Sequence, residues 1–167
     1  MLHLTNIVYE GRGVIFVNVF LVENNASQKL RENLTHLMMG QMEAIGDSDS
    51  YSKLRVAIDL ALEEGSTARI FAVEENEEII GLAFFNLAIS LEKGGHYMWL
   101  NELYVHKEYR QKGIAKKLLL HIIFWAEQNN LKAIELETGV NNIATKKLYN
   151  SFSFYDIVSK RYGFDII

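Results

Sequence analysis

The amino-acid sequence predicts an α/β (α+β) fold, a mixed central sheet flanked by helices, and three observations predict it. Strand-like segments alternate with segments whose apolar residues recur every three to four positions. Two helical segments come early, then a run of strands joined by short polar turns, then strand–helix–strand–helix. The chain has 167 residues, 49% apolar and 23% charged, which suits one hydrophobic core and hence a single domain over 1–167.

Val14 to Val22 is rich in β-branched and aromatic residues and reads as a strand. Asn24 to Ser27 can start a helix that carries Leu30, Leu34, Leu37 and Met38 at helical spacing. Gly46 to Ser50 is a polar break. Leu54, Ile58, Ala61 and Leu62 mark a second helix that stops near Gly65. Ala68 to Val73 and Ile79 to Ser90 read as strands around a charged turn at Asn76, and His96 to Val105 follows the Gly94-Gly95 turn as another. Ile114 to Gln128 is an amphipathic helix, Ala133 to Glu137 a strand and Asn142 to Phe152 a helix. Phe154 to Ile167 is expected to add one or two strands.

The composition narrows the functions open to the chain. A net charge of -4 gives no general reason to bind nucleic acid or an anionic membrane. The sequence has no cysteine, which removes disulfides, thiolate nucleophiles and cysteine metal sites and fits a reducing cytoplasm. Met1 to Glu10 lacks a basic stretch followed by an apolar run, so no signal peptide is expected. No apolar stretch approaches the roughly 18 residues of a bilayer span. The sequence also lacks proline, for which we have no physical account.

The segment that carries chemistry runs from Leu100 to Lys117. A strand enters a short loop, then Gly113, then a helix. Lys107, Arg110, Lys112, Lys116 and Lys117 crowd that helix start against a single acid, Glu108. Cations are misplaced at a helix N-terminus by about 0.3–1 kcal/mol each, because the macrodipole there is already positive. The cluster fits an anion seated on the free amides of the first turn, or a solvated basic loop. Gly113 would let backbone approach a ligand closely, and Ala115 would leave it room.

Arg110-Gln111-Lys112-Gly113-Ile114-Ala115 resembles the pyrophosphate loop of the GNAT superfamily of acyl-CoA-dependent N-acyltransferases, [QR]-x-x-G-x-[GA]. Alone this pattern is weak, but here the hydrophobic strand Leu100 to Val105 precedes it and a long amphipathic helix follows. Asn142, Thr145, Leu148, Tyr149 and Phe154 resemble the family's N-x-x-[AS]-x-x-L-Y-x-x-x-G-F helix. The resemblance covers about Ala68 to Ile157; before Ala68 it is a coarse pattern. Lys107 stands where proline is common, Thr145 where Ala or Ser is usual, and Ser153 where glycine precedes Phe154, so the turn there is expected to differ.

The resemblance implies a strand–phosphate loop–helix site for acetyl-CoA as co-substrate, with no metal. Leu103, Tyr104 and Val105 would pair with the pantetheine arm through their backbone. Arg110, Gln111, Lys112, Gly113, Ile114, Ala115 and Lys116 would hold the pyrophosphate, and Asn142 would bond the pantetheine or the loop. The partner implied is a primary amine of a small molecule or protein, cationic in our reading, with no nucleic acid and no membrane; a homodimer is left open. A lysine-like amine is neutral in roughly one molecule in 2500 at pH 7, a cost of about 4.6 kcal/mol. Glu102 is the candidate catalytic base, through water. An ordinary carboxylate falls about 6 pKa units short of stripping an ammonium directly, so Glu102 is equally a group that binds and orients the ammonium. Tyr149 is the candidate acid toward the departing thiolate, or a packed core tyrosine. His96, Tyr97 and Trp99 are weaker candidates for the acceptor pocket. Glu43, Asp47 and Asp49 would attract a cationic acceptor, or form a solvated loop. No G-x-G-x-x-G turn or G-K-[ST] loop is present, which argues against dinucleotide and P-loop chemistry. The remaining alternative is an acyl-CoA-binding sensor or structural protein of the same fold without turnover.

Overall fold

The computed structural model describes residues 6–10, 13–42 and 49–166. The chain forms two compact units, Met1–Glu137 and Thr138–Ile167. Glu43 and Asp47 lie outside the described residues.

The first unit is built on a six-stranded sheet in simple sequence order. Its strands are β1 (Asn6–Glu10), β2 (Gly13–Leu21), β3 (Ala68–Glu75), β4 (Glu78–Ser90), β5 (Gly95–Val105) and β6 (Ile134–Leu136). Neighbours are antiparallel from β1 to β5, and β6 joins β5 in parallel. The mixed sheet is thus as expected, while β1 was not foreseen. Between β3 and β4, Asn76 and Glu77 both take positive φ, 49° and 66°. That conformation closes a two-residue hairpin whose twist matches the strands, and Glu75 pairs with Glu78.

A parallel pair needs a long crossover, and here α3 (Ile114–Gln128) supplies it. Ile114, Leu118, Leu119, Ile122 and Ala126 bury its apolar stripe, which lies over β3, β4 and β5. Trp125 on α3 meets Phe71 and Phe85 of the sheet at ring-centre distances of 6.3 and 5.3 Å. The other core cluster joins the sheet to α1 (Gln28–Met42) and α2 (Ser50–Ala61), through Leu34, Leu37, Ile58, Ile70, Leu82 and Tyr104. Ser27 starts α1, its Oγ accepting from the Leu30 amide at 3.2 Å. Arg31 of α1 and Arg55 of α2 grip opposite oxygens of Asp59 at 2.8 and 2.9 Å. The bond from Arg31, with the second from Arg55, holds the Asp59 carboxyl below its ordinary pKa against the opposing effect of desolvation.

In the second unit, Asn142 caps α4 (Ile143–Asn150), its Oδ1 accepting from the Thr145 amide at 3.2 Å. Ser153 takes φ +65°, so serine holds the left-handed turn for which glycine is the easier residue, at a cost of about 1–2 kcal/mol. The expectation of one or two strands after Phe154 is corrected: residues 154–166 form none. Tyr155, Ile157 and Val158 have strand propensity, but propensity is realised only on a pleated, half-buried surface. Here Val158 and Phe164 are 101% and 91% exposed, and no ladder satisfies the segment's amides.

Gly40 lies in α1 beneath Tyr104: a Cβ there would stand 2.9 Å from the Tyr104 hydroxyl oxygen. Gly→Ala inside a helix is ordinarily worth about 1 kcal/mol. Chemical denaturation should show that gain for Gly40→Ala in a Tyr104→Phe background and show it lost or reversed with Tyr104 present. Equal effects in both backgrounds would contradict the contact.

Candidate active site

The site begins with a defect in β5. Glu102 pairs with Phe84 and Leu100 with Phe85, so Asn101 is an extra residue, a β-bulge. Its side chain accepts from Asn86 Nδ2 at 2.8 Å. The bulge resets the alternation of side chains along the strand. On the β6 side the parallel ladder runs only from Met98–Ile134 to Leu100–Leu136. Past the bulge, β5 has no strand partner on that side among the described residues.

The His106 amide donates to Ile80 O at 2.9 Å. By the alternation of an antiparallel ladder, Val105 and Leu103 then turn their N–H and C=O groups away from β4. These groups line the open edge. Val105 O accepts from Arg110 Nε at 3.0 Å. The edge therefore keeps Leu103's donor and acceptor and Val105's donor for an extended ligand.

The chain leaves β5 through a short 3-10 turn, Lys107–Tyr109. Gln111 and Gly113 both take left-handed conformations, φ 63° and 76°. Gly113 is the N-cap of α3 and has no side chain to cap it, and the first helical bond runs from Lys117 N to Gly113 O. The amides of Ile114 and Ala115 precede that first bond, so this helix start is of the kind that can seat an anion. Arg110's guanidinium lies 5.5 Å from the Tyr104 ring centre, and Lys112 Nζ 5.5 Å from that of Tyr109. Tyr109 donates to Glu78 Oε2 at 3.0 Å, and that bond, with burial, pushes its phenol pKa up. The loop, its cations and the open strand edge fit a ligand with an extended amide arm and a polyanionic end. Among the described residues no group of His, Asp or Glu is arranged to hold a metal ion, and no helix is long and apolar enough to cross a membrane.

Glu102 is half-buried, and its Oε2 accepts from Gln41 Nε2 of α1 at 2.9 Å. Sequence reasoning missed Gln41, because nothing in the pattern of α1 marks it. It also left Lys117 among the general cations. Lys117 Nζ is buried with no hydrogen-bond partner among the described residues, and desolvation lowers its pKa. In the second unit, Tyr149 is buried and its ring meets Phe154 at 5.5 Å. Asn142 spends Oδ1 on the cap and keeps its Nδ2 donors. Asp49 is exposed. His96 lies elsewhere: with Arg69, Trp125 and Asn129 it lines a shallow cleft of about 500 Å3. That cleft is at the start of β5, about 30 Å from Val105 at some 3.3 Å per residue.

A bulged strand with an open edge, feeding a cation-rich helix start, is suited to an extended ligand with an anionic end. Residues 31–154 match the model of the Acetyltransferase (GNAT) family, and the chain belongs to that family. It is similar to a probable spermine N(1)-acetyltransferase of Bacillus subtilis subsp. natto, 33% identical over 46% of this chain and 53% of the relative. It is also similar to streptothricin acetyltransferase A of Bacillus subtilis, 33% identical over 55% of this chain and 49% of the relative. The chain spans about half the length of these curated relatives. Among solved structures, a probable acetyltransferase superposes with TM-score 0.75 at 22% identity, covering 90% of this chain and 98% of that one. An integron cassette protein from the mobile metagenome of V. cholerae superposes with TM-score 0.74 at 21% identity, covering 89% and 92%. These likenesses bear on the fold, which is the GNAT fold.

Lys117 yields a pH-dependent prediction. Its folded pKa lies below its unfolded value, so its charge opposes folding at low and neutral pH, and the penalty fades as pH rises through the folded value toward about 10.4. Lys117→Met should therefore raise the melting temperature at pH 6 to 7, with the gain shrinking toward pH 10. A gain independent of pH would mean that burial does not penalise the ammonium.

Proposed function

We propose that the chain is an N-acetyltransferase that moves an acetyl group from acetyl-CoA to a primary, cationic amine by direct attack. The observation that carries this is the open β5 edge at Leu103 and Val105, followed directly by the cation-rich loop and the glycine-capped start of α3. One catalytic domain over 1–167 is part of the proposal, because the family match runs through both compact units. Two relatives named for amine-bearing substrates, spermine and streptothricin, support an amine acceptor.

When bound, acetyl-CoA would supply the activated thioester. The chain's own residues then have separate tasks. Leu103 and Val105 would fix the extended arm by backbone bonds, with Tyr104 between them holding the strand in the core. Arg110, Gln111, Lys112 and Lys116, with the amides of Gly113, Ile114 and Ala115, would bind the pyrophosphate. Asn142 Nδ2 would donate to the arm or the loop. Glu102 would hold and orient the acceptor's ammonium, which passes its proton to solvent water before the neutral amine attacks. Tyr149 would donate a hydrogen bond to the leaving sulfur. Full proton transfer from a phenol to a thiolate is uphill by about 2 kcal/mol, so a bond that strengthens as charge builds on sulfur is the more favourable role.

The function is tested by following CoA release with a panel of amines. Cationic amines such as spermine should be acetylated in preference to neutral and carboxylate-bearing acceptors, with KM rising as salt rises. Acetyl-CoA binding without CoA release for any amine would favour the non-catalytic alternative, and acetylation of carboxylate-bearing amino acids alone would overturn the cationic acceptor.

Tyr149→Phe keeps the ring against Phe154 and removes the hydroxyl. It should lower kcat by about 10²–10⁴ and leave acetyl-CoA affinity nearly unchanged. If kcat stays within about threefold of wild type while chemistry is rate-limiting, Tyr149 is a core residue. Lost stability would point to the same structural role.

A further inference from the structure

Gln41 docks the end of α1 onto the strand that carries Glu102. Its Nε2 donates to Glu102 Oε2 at 2.9 Å. The orientation of the carboxamide follows from chemistry: turned over, its oxygen would face the carboxylate, acceptor against acceptor. With Nε2 committed, Gln41 Oε1 is buried and, among the described residues, no donor reaches it. A buried acceptor left unpaired costs about 1–3 kcal/mol, and such groups are rare enough that each requires a cause.

The geometry around that atom is narrow. Nitrogen and oxygen of one carboxamide are about 2.2 Å apart given its bond lengths. Gln41 Oε1 therefore lies within about 5 Å of Glu102 Oε2. Two acceptors that close can both bond a single nitrogen at about 2.9 Å. A neutral ligand oxygen would bring at most one donor, whereas a primary ammonium brings three and no acceptor. Gly40 and Tyr104 pack beside the pair and hold the end of α1 against β5.

We propose that Gln41 Oε1 and the Glu102 carboxylate together form the seat of the acceptor's primary ammonium. Gln41 thereby sets acceptor specificity and also fixes the rotamer of Glu102. This rests on reading the site as one that acetylates amines, and it adds the second ligand of the acceptor nitrogen.

The test uses ethylamine and spermine as probes, with their affinity for the full chain measured by calorimetry and their KM and kcat by CoA release. Gln41→Met removes both polar atoms at similar length. It should weaken both amines about tenfold or more, as expected for loss of a bond to a charged group. Acetyl-CoA affinity should stay within about twofold, and kcat at saturating amine should fall far less than kcat/KM. Gln41→Glu loses the bond to Glu102 but keeps acceptor oxygens at the seat; an ammonium lying between the two carboxylates offsets their repulsion, so amine affinity should be retained, which a purely structural role for the amide would not allow. Unchanged amine affinity in Gln41→Met, or no amine binding to the wild-type chain, overturns the seat. Amines that bind, respond to Gln41→Met and yet release no CoA leave the seat standing and overturn the catalytic reading instead. Should Gln41→Met fail to fold, loss of amine affinity in a folded Gln41→Glu would overturn the seat as well.

Discussion

The site depends on β5 parting from β6. A sheet ordinarily satisfies both edges of its inner strands, and β5 is satisfied on both sides only up to Leu100. The extra residue at Asn101 ends that regime. Before it, the strand is a structural member between β4 and β6. After it, the same strand carries Glu102 toward α1 and turns the polar backbone of Leu103 and Val105 to an unpaired edge. One inserted residue thus marks the change from inner strand to open edge without breaking the β4 ladder, which resumes at Glu102–Phe84 and runs to Val105–Gly81.

The loop after β5 shows how the chain tolerates cations where a helix dipole disfavours them. Arg110 gives its Nε to Val105 O and lays its guanidinium over Tyr104. Lys112 sits over Tyr109, whose hydroxyl is in turn held by Glu78. These contacts stabilise the positive charges locally without neutralising them. The amides of the first turn remain directed at the same place. Lys117 is the contrasting case, enclosed with no hydrogen-bond partner among the described residues, so its charge is penalised by burial.

Much of this was legible in the sequence. The bounds of α3 follow from Gly113 and the spacing of Ile114, Leu118 and Ile122. The hairpin at Asn76 follows from a polar pair between two apolar runs. The glycine N-cap of α3 and the row of cations before it are likewise read directly from the sequence. Other features were not legible for physical reasons. A bulge such as Asn101 leaves only a one-residue slip in alternation, easily lost within an aromatic-rich strand. Gln41 is remote in sequence from Glu102, and only the packing of α1 on β5 brings them together. The segment after Phe154 has strand composition, but composition does not supply a ladder partner. The roles assigned to Tyr149, Asn142 and Glu102 came from the family pattern. Local geometry adds that Asn142 caps α4 and that Glu102 meets Gln41.

The sheet also acts as a partition. The helix that follows the cation-rich loop is anchored on one face by Ile114, Leu118, Ile122 and Trp125. Gln41, Gly40 and the α1–α2 cluster belong to the other face. Substitutions that accumulate along the end of α1 would therefore remodel the surroundings of Glu102 while the packing under α3 stays as it is. A lineage carrying this arrangement could change the surface beside Glu102 while the helix start on the other side of the sheet keeps its support.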